Sequence, residues 1–266
     1  MTYREIYESF KKVNIDNARG EAELLIREIC GELSESVDYQ SERLFDAVNR
    51  RLDGYPLQYI IGKWWFARCE FEVSEDCLVP RPDTESIVEE AIKLLPRNSR
   101  FADLCTGSGC IAISIADLRG DLSGVAVELY PKTLEIAKRN GERNNVSDRI
   151  EFLQGDVLSG ETLRGERFAA IISNPPYIRT DVIDTLSVEV KHEPRAALDG
   201  GEDGLIFYRA IVEKYQKNLL EDGCFIFEIG YDQAEDLLQI AELNGFSCQI
   251  KKDLGGNDRV AILKRK

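Results

Sequence analysis

The chain has 266 residues, of which 43% are hydrophobic and 31% charged, so it is long enough for one large domain and a small one. Its formal net charge of −14 disfavours nucleic acid as the main partner, because an acidic surface repels phosphate backbones. Seven cysteines with no Cys-x-x-Cys spacing signal neither a disulfide framework nor a zinc knuckle, and they indicate a reducing, cytoplasmic compartment.

Two further absences narrow the class of protein. The single histidine, His192, removes most histidine-based mechanisms and any histidine-rich metal site, so we expect no metal. No apolar run approaches the roughly 18 residues that a membrane span needs, so we expect no membrane contact.

The first 53 residues predict a small helical bundle. Apolar residues recur there at helical spacing, as in Ile6, Phe10 and Val13, and no strand pattern interrupts them. Such a bundle either packs as a cap on a larger domain or recognises a partner protein, and the pattern leaves both open.

Residues 54–82 predict a β-hairpin linker. The aromatic run from Trp64 to Phe71 favours the hairpin, and Pro80-Arg81-Pro82 closes the segment. Because Arg81 stands before a proline, its backbone is extended, and we expect its side chain to border a site.

Residues 83–266 predict an α/β domain. We expect Asp83 to cap a helix that runs to Leu95. Strands and helices then alternate, which predicts a mostly parallel, doubly wound sheet, and the last hairpin adds an antiparallel strand. The predicted strands are 101–104, 125–129, 150–153, 168–173, 225–229, 246–250 and 259–263, and the predicted helices are 111–118, 131–140, 205–220 and 233–243.

A glycine-containing loop follows the first strand of that sheet and opens a helix. Its glycines let a ligand approach the backbone closely. Glu128 ends the next strand, at the spacing where an acid binds a ribose hydroxyl, so we expect a nucleoside cofactor. The expected cofactor residues in this loop are Asp103, Cys105, Thr106, Gly107, Ser108 and Gly109.

The pattern Gly107-x-Gly109-x-x-Ala112 also fits a nicotinamide fingerprint. Asp103 argues against that cofactor, because a carboxylate repels a pyrophosphate but suits the ammonium group of S-adenosyl-L-methionine. After the third strand, Asp156 suits an adenine amino group and Val157 an apolar wall, although a simple Asp turn accounts for Asp156 equally well.

Asn174-Pro175-Pro176-Tyr177 ends a short apolar strand, and its prolines stop both strand and helix there. The Asn174 side-chain oxygen and the Pro175 carbonyl are placed to accept both hydrogens of a planar NH₂ group. That polarises a poor nucleophile and stabilises positive charge that grows on nitrogen, while Tyr177 packs over the flat group. We therefore expect methyl transfer to an amide or aromatic amine, with Asn174, Pro175 and Tyr177 as catalytic residues.

Three other features are left open. The glycine-rich stretch 193–204 either shapes a substrate entrance or is a long surface loop. Glu228 ends a strand at the same sheet edge, where it either takes part in the function or is merely an acid at the end of a strand. We expect His192 to be structural or exposed to solvent.

The chain resembles the bacterial release-factor glutamine N5-methyltransferases (HemK/PrmC type). The Asn-Pro-Pro-Tyr segment, Asn174 to Tyr177, does not by itself identify the family, because adenine-N6 DNA methyltransferases share it. The N-terminal helices and the segment Val79 to Glu85 select the release-factor branch. The matching segments are Asp16 to Arg19, Pro56 to Gly62, Val79 to Glu85, Asp103 to Ala112, Asn174 to Tyr177, Glu193-Pro194, Gly200 to Gly204 and Asp258 to Val260.

The resemblance implies a seven-stranded Rossmann-like methyltransferase domain behind the helical bundle. It implies that S-adenosyl-L-methionine is the donor and S-adenosyl-L-homocysteine the product, and that the partner is the Gly-Gly-Gln loop of class 1 release factors. By family analogy the bundle helps hold the factor, and we expect a monomer. The implied substrate-binding residues are Arg81, Asn174, Pro175, Pro176 and Tyr177.

Two positions depart from the commonest family pattern. Cys105 stands where Gly is frequent, which its small side chain allows if its φ is negative, and Glu128 stands where Asp is frequent. Three alternatives stay open: a ribosomal-protein glutamine methyltransferase, an adenine methyltransferase of DNA or RNA, and a noncatalytic cofactor-binding protein.

Overall fold

The computed structural model describes residues 1–34 and 37–266, and the chain divides into two compact units. The first contains Met1–Lys63 and the short segment Ser187–His192. The second contains Trp64–Leu186 and Glu193–Lys266. In the described residues, no helix combines the length and the apolar character needed to cross a membrane.

The first unit is helical, as the periodicity predicts. Thr2 and Glu5 form a reciprocal capping box at the start of the first helix, which satisfies backbone N–H groups that the helix leaves free. Ile6, Phe10 and Leu25 are fully buried in its core. The helices are α1 (Tyr3–Lys12), α2 (Ala18–Cys30), α3 (Glu42–Leu52) and α4 (Leu57–Ile61).

A buried ion pair holds the segment Ser187–His192 in this helical unit. The Arg51 side chain is only 4% exposed, with Nε 2.5 Å from Glu21 Oε2 and Nη2 2.7 Å from Glu189 Oε1. A buried guanidinium without such partners is strongly destabilising, so this pairing fixes the position of Ser187–His192 in the helical unit. His192 is exposed, as expected, and its ring packs edge-on against Tyr55 at 5.0 Å.

The second unit begins with a hairpin formed by β1 (Lys63–Phe66) and β2 (Cys69–Glu72). Asn140 fastens it to helix α7 (Pro131–Arg143), because its buried side chain accepts from the Glu72 N–H at 2.7 Å and donates to the Glu72 carbonyl at 3.0 Å. The same Nδ2 donates to the Ser108 carbonyl at 2.9 Å. One asparagine therefore connects the hairpin to the predicted glycine loop.

A seven-stranded sheet forms the centre of the second unit. Its spatial order is β5-β4-β3-β6-β7-β9-β8, and β9 alone runs antiparallel to the other six strands. This confirms the predicted doubly wound sheet with one antiparallel strand. The strands are β3 (Arg100–Leu104), β4 (Ser123–Glu128), β5 (Ile150–Gln154), β6 (Phe168–Ser173), β7 (Leu219–Glu228), β8 (Phe246–Lys252) and β9 (Asp258–Arg265).

Helices cover both faces of this sheet. On one face α5 (Glu85–Leu94) and α6 (Cys110–Leu118) pack beside α7, and on the other lie α9 (Ile206–Tyr215) and α10 (Ala234–Leu243). A short helix, α8 (Thr180–Ile183), follows β6. Because the central strands are buried on both faces, they read in the sequence as continuous apolar runs.

Two predicted elements are wrong in detail. Asp83 does not cap α5, because Pro82–Thr84 forms a 3₁₀ turn before it and the Asp83 carboxylate instead lies 3.4 Å from the Arg259 guanidinium. The helix predicted for 205–220 ends at Tyr215, and β7 starts at Leu219. Pairing of Leu219 with Phe168 of β6 overrides the apolar helical spacing that the local sequence shows.

Candidate active site

The site lies where the chain changes direction across the sheet. β3 and β6 are neighbours, but the chain after β3 crosses through α6 to β4, whereas the chain after β6 continues to β7 on the other side. Ligands of open α/β sheets bind in the crevice at such a switch point. The predicted glycine loop and the Asn-Pro-Pro-Tyr corner both start there.

The glycine loop turns sharply at Cys105. Cys105 has φ of +61°, so the expectation of a negative φ at this position is wrong. The left-handed turn lets the Thr106 N–H donate to the Val127 carbonyl of β4 at 2.9 Å. Gly107 and Gly109 also have positive φ, at +57° and +84°, a conformation that glycine adopts without strain.

Asp103 lies beneath this loop. It is fully buried, and its Oδ2 accepts from the Thr106 hydroxyl at 2.5 Å and from the Ala112 N–H at 3.2 Å. Its Oδ1 has no hydrogen-bond partner in the described residues. Burial raises the pKa of Asp103 to about 7, against the opposing effect of those hydrogen bonds.

Glu128 connects the end of β4 to the glycine loop. Its Oε2 accepts from the Gly107 N–H at 3.0 Å, and its Oε1 accepts from the N–H groups of Leu129 and Tyr130 at 2.9 and 3.0 Å. Burial raises the pKa of Glu128, and these backbone donors oppose the shift. The longer side chain found here in place of Asp therefore reaches across to the loop.

Asp156 and Val157 follow β5. Asp156 forms the simple turn that the sequence left open, since its Oδ1 accepts from the Leu158 N–H at 2.8 Å. Asp156 is exposed, whereas Val157 is buried.

The Asn-Pro-Pro-Tyr corner is held from behind by polar contacts. Gln233 Nε2 donates to the Tyr177 carbonyl at 3.1 Å and to the Gly204 carbonyl at 3.3 Å. The Gly200 N–H donates to the Ile178 carbonyl at 2.8 Å. The glycine-rich stretch therefore packs on the corner and supports it, which the sequence had left undecided.

Glu228 ends β7 behind the same corner. It is 2% exposed, and its Oε1 accepts from the Tyr177 hydroxyl at 3.3 Å. Burial raises the pKa of Glu228 to about 7, and Thr84, Arg259 and Tyr177 oppose that shift. The structure thus places this strand-end acid in direct contact with the predicted site.

A cavity of about 550 Å³ opens between the glycine loop and the corner, a size typical of small-molecule sites. It lies within the second unit. Ten of the predicted site residues line it: Arg81, Cys105, Thr106, Gly107, Ser108, Glu128, Asp156, Val157, Asn174 and Pro176. Four others do not reach its wall, namely Asp103, Gly109, Pro175 and Tyr177.

Several lining residues were not expected from the sequence. The strip of residues 75–80 forms one wall and ends at Arg81, whose guanidinium pairs with Glu193. Thr84 and Phe207 also line the cavity. The proline-bounded segment was the available signal for this wall, whereas nothing in the local pattern of α9 marks Phe207.

The charges of the wall favour one kind of cofactor. Glu75, Asp76, Glu128 and Asp156 all line the cavity, whereas its cations are already paired, Arg81 with Glu193 and Lys132 with Asp76 at 3.6 Å. Such a wall repels a pyrophosphate and suits a cation such as a sulfonium. No group of three or more potential metal ligands occurs within 1–34 and 37–266.

Comparison with known proteins agrees with this geometry. Residues 85–214 match the Methyltransferase small domain family, and residues 2–62 match the PrmC N-terminal domain family. A solved methyltransferase from Pyrococcus furiosus covers 73% of this chain and 87% of its own, with a TM-score of 0.53 and 22% identity, which shows the shared fold.

Fold, cavity and family match together define a Rossmann-like methyltransferase. The chain is 40% identical to the release factor glutamine methyltransferase of Thermodesulfovibrio yellowstonii over 85% of this chain and 82% of the relative. It is 34% identical to the enzyme of that name from Clostridium botulinum over 96% and 95%. The chain belongs to the release factor glutamine methyltransferase family.

Proposed function

We propose that this chain transfers a methyl group from S-adenosyl-L-methionine to the side-chain nitrogen (N5) of the glutamine in the Gly-Gly-Gln loop of class 1 release factors, in the cytoplasm. The observation that carries the proposal is the position of Asn174. Asn174 lines the same cavity as Glu128 and the glycine loop. An acceptor for an amide NH₂ therefore shares one cavity with a nucleoside-type site.

The residues present fit the proposed donor. The backbone of Gly107 faces open space, because a Cβ atom added there would meet no other atom within 4 Å. A ligand can therefore approach this backbone closely. We assign the binding of the nucleoside and methionine parts of the donor to Cys105, Thr106, Gly107, Ser108 and Glu128. We assign the binding of its adenine to Asp156 and Val157. Asp103 and Gly109 shape the loop from beneath. When bound, S-adenosyl-L-methionine supplies an electrophilic methyl group on a cationic sulfur.

The corner would prepare the substrate nitrogen. An amide nitrogen is a poor nucleophile because its lone pair is delocalised into the carbonyl. Asn174 Oδ1 would accept from one of its N–H bonds, which increases electron density on nitrogen and stabilises the positive charge that develops there. The Pro175 carbonyl is the proposed second acceptor, although Pro175 itself does not line the cavity. Holding the nitrogen in line contributes further to the rate.

No general base is needed before transfer. The methylated nitrogen becomes acidic and loses a proton afterwards, and this agrees with a site that contains no histidine among its lining residues. Arg81 lies at the cavity wall, paired with Glu193, where it can contact the incoming loop. Tyr177 anchors the corner through Glu228.

The test is to map the methylated residue. The purified chain is incubated with methyl-labelled S-adenosyl-L-methionine and, separately, a class 1 release factor, ribosomal proteins or DNA, and each product is digested and sequenced by mass spectrometry. We expect label on the Gly-Gly-Gln glutamine alone. Label confined to a ribosomal glutamine or an adenine would replace the proposed substrate, and binding of the donor without transfer to any of them would contradict the enzyme assignment.

A further inference from the structure

The orientation of the Asn174 carboxamide decides whether the proposed mechanism works. A carboxamide has one accepting oxygen and one donating NH₂ group, and these are nearly equal in size. If the group turned by 180°, an NH₂ group would face the cavity and repel the substrate NH₂. Sterics alone do not select between the two orientations, so a hydrogen bond on the far side must do so.

Thr84 supplies that hydrogen bond. It lies in the 3₁₀ turn before α5, is 1% exposed, and lines the cavity. Its Oγ1 is 3.3 Å from Asn174 Nδ2 and accepts from it. This contact directs the nitrogen of Asn174 away from the bound substrate and leaves Oδ1 for the substrate.

The carboxyl group of Glu228 also lies behind this corner, at the end of β7. Its Oε1 accepts from the Tyr177 hydroxyl at 3.3 Å, whereas its buried Oε2 has no hydrogen-bond partner in the described residues. Among the described residues, the hydrogen bond that orients the Asn174 carboxamide is therefore the one to Thr84 Oγ1.

We propose that Thr84 is a positioning residue whose hydroxyl oxygen accepts from Asn174 Nδ2, which fixes Asn174 Oδ1 toward the substrate amide. This inference rests on the proposed function, because it specifies how the same site is made selective for an NH₂ group.

Thr84→Val tests the proposal, since valine has nearly the same shape and neither donates nor accepts. We expect kcat for release-factor methylation to fall about 10-fold, the size of effect that loss of one buried hydrogen bond gives. The Kd of S-adenosyl-L-methionine should stay within about twofold, because Thr84 acts on the other substrate. Thr84→Ser keeps the hydroxyl and should restore most of the turnover.

Ser114→Ala is the matched control. Ser114 is a fully buried hydroxyl in α6 with no hydrogen-bond partner in the residues described, so its loss should leave kcat unchanged. If Thr84→Val and Ser114→Ala both turn over at the wild-type rate, or if Thr84→Ser is as slow as Thr84→Val, the proposal is overturned.

A second measurement does not depend on activity. The side-chain amide signal of Asn174 is assigned in ¹⁵N–¹H spectra by its absence from Asn174→Asp, and its hydrogen exchange is compared between the wild type and Thr84→Val. We expect faster exchange in Thr84→Val, and an unchanged rate would contradict the hydrogen bond. Failure of the wild type to methylate any release factor would overturn the proposed function, while this exchange result would still report on Thr84.

Discussion

Ser173 and Leu104 join the two halves of the candidate active site. They are register partners on β6 and β3, and the Ser173 hydroxyl donates to the Leu104 carbonyl at 2.5 Å. The residue after Leu104 starts the glycine loop, and the residue after Ser173 is Asn174. Because both segments leave the sheet side by side, the proposed donor and acceptor sites are held at a fixed spacing by the sheet itself.

Asn174→Ala should abolish methyl transfer while the donor still binds. Removing one preorganised hydrogen-bonding group at a site of developing charge typically costs 10²–10³-fold in kcat, and we expect about that loss. Kinetics with a release factor and calorimetry with S-adenosyl-L-methionine measure the two effects separately. Turnover within a few-fold of the wild type would show that Asn174 does not bind the reacting amide.

Glu128→Gln should weaken donor binding and leave the chemical step nearly unchanged. Its carboxylate accepts from three backbone N–H groups, so glutamine, which keeps one accepting oxygen, leaves part of that cluster unsatisfied. We expect the Kd of S-adenosyl-L-methionine to rise about 10-fold, equal to roughly 1.4 kcal/mol. A loss confined to kcat at saturating donor would place Glu128 at the reacting atoms instead.

Cys105→Gly and Cys105→Ala form a matched pair. The positive φ at Cys105 costs a residue with a Cβ roughly 1 kcal/mol, which glycine does not lose. Both variants lack the thiol, so the glycine variant should have the higher free energy of unfolding by about 1 kcal/mol. Urea unfolding measures the difference, and a more stable alanine variant would contradict the left-handed turn.

Gly204→Ala should damage the corner more than Gly201→Ala does. Both glycines have positive φ, at +76° and +88°. A Cβ at Gly204 would lie 2.4 Å from the Tyr177 carbonyl oxygen, whereas a Cβ at Gly201 meets its nearest atom at 3.4 Å. We expect Gly204→Ala to lose at least about 1 kcal/mol more stability and also turnover, because overpacking shifts the backbone that carries Asn174. Equal effects in unfolding and kinetic assays would refute this.

The pH dependence of stability should differ between the wild type and Glu228→Gln. The pKa of Glu228 is raised by burial to about 7, so the folded state binds its proton more tightly than the unfolded state does. Its contribution is therefore most favourable below the unfolded pKa and declines as pH rises toward 7. We expect wild-type stability relative to Glu228→Gln to fall by on the order of 3 kcal/mol between pH 4.5 and 7.5.

Denaturant unfolding at several pH values gives that difference directly, because other titrating groups such as Asp103 are common to both proteins. A difference that stays flat across the range would mean that Glu228 is not a buried acid in the folded state.

The sequence by itself determined the order of strands and helices, the antiparallel last pair, and the two segments that leave β3 and β6. Apolar runs and glycine or proline breaks are local signals, and they are strong in a sheet buried on both faces. Asn174, Glu128 and Gly107, which all line the cavity, could be singled out in the sequence for the same reason, since each stands at or shortly after the end of a strand.

Only the tertiary structure decided what those residues touch. Thr84 and Asn174 are 90 positions apart, as their numbers show, and they meet at 3.3 Å because the turn before α5 lies against the end of β6. The left-handed turn at Cys105 depends on a carbonyl of β4, and the start of β7 depends on pairing with β6. Local sequence encodes none of these contacts, because the partners are supplied by distant segments through packing.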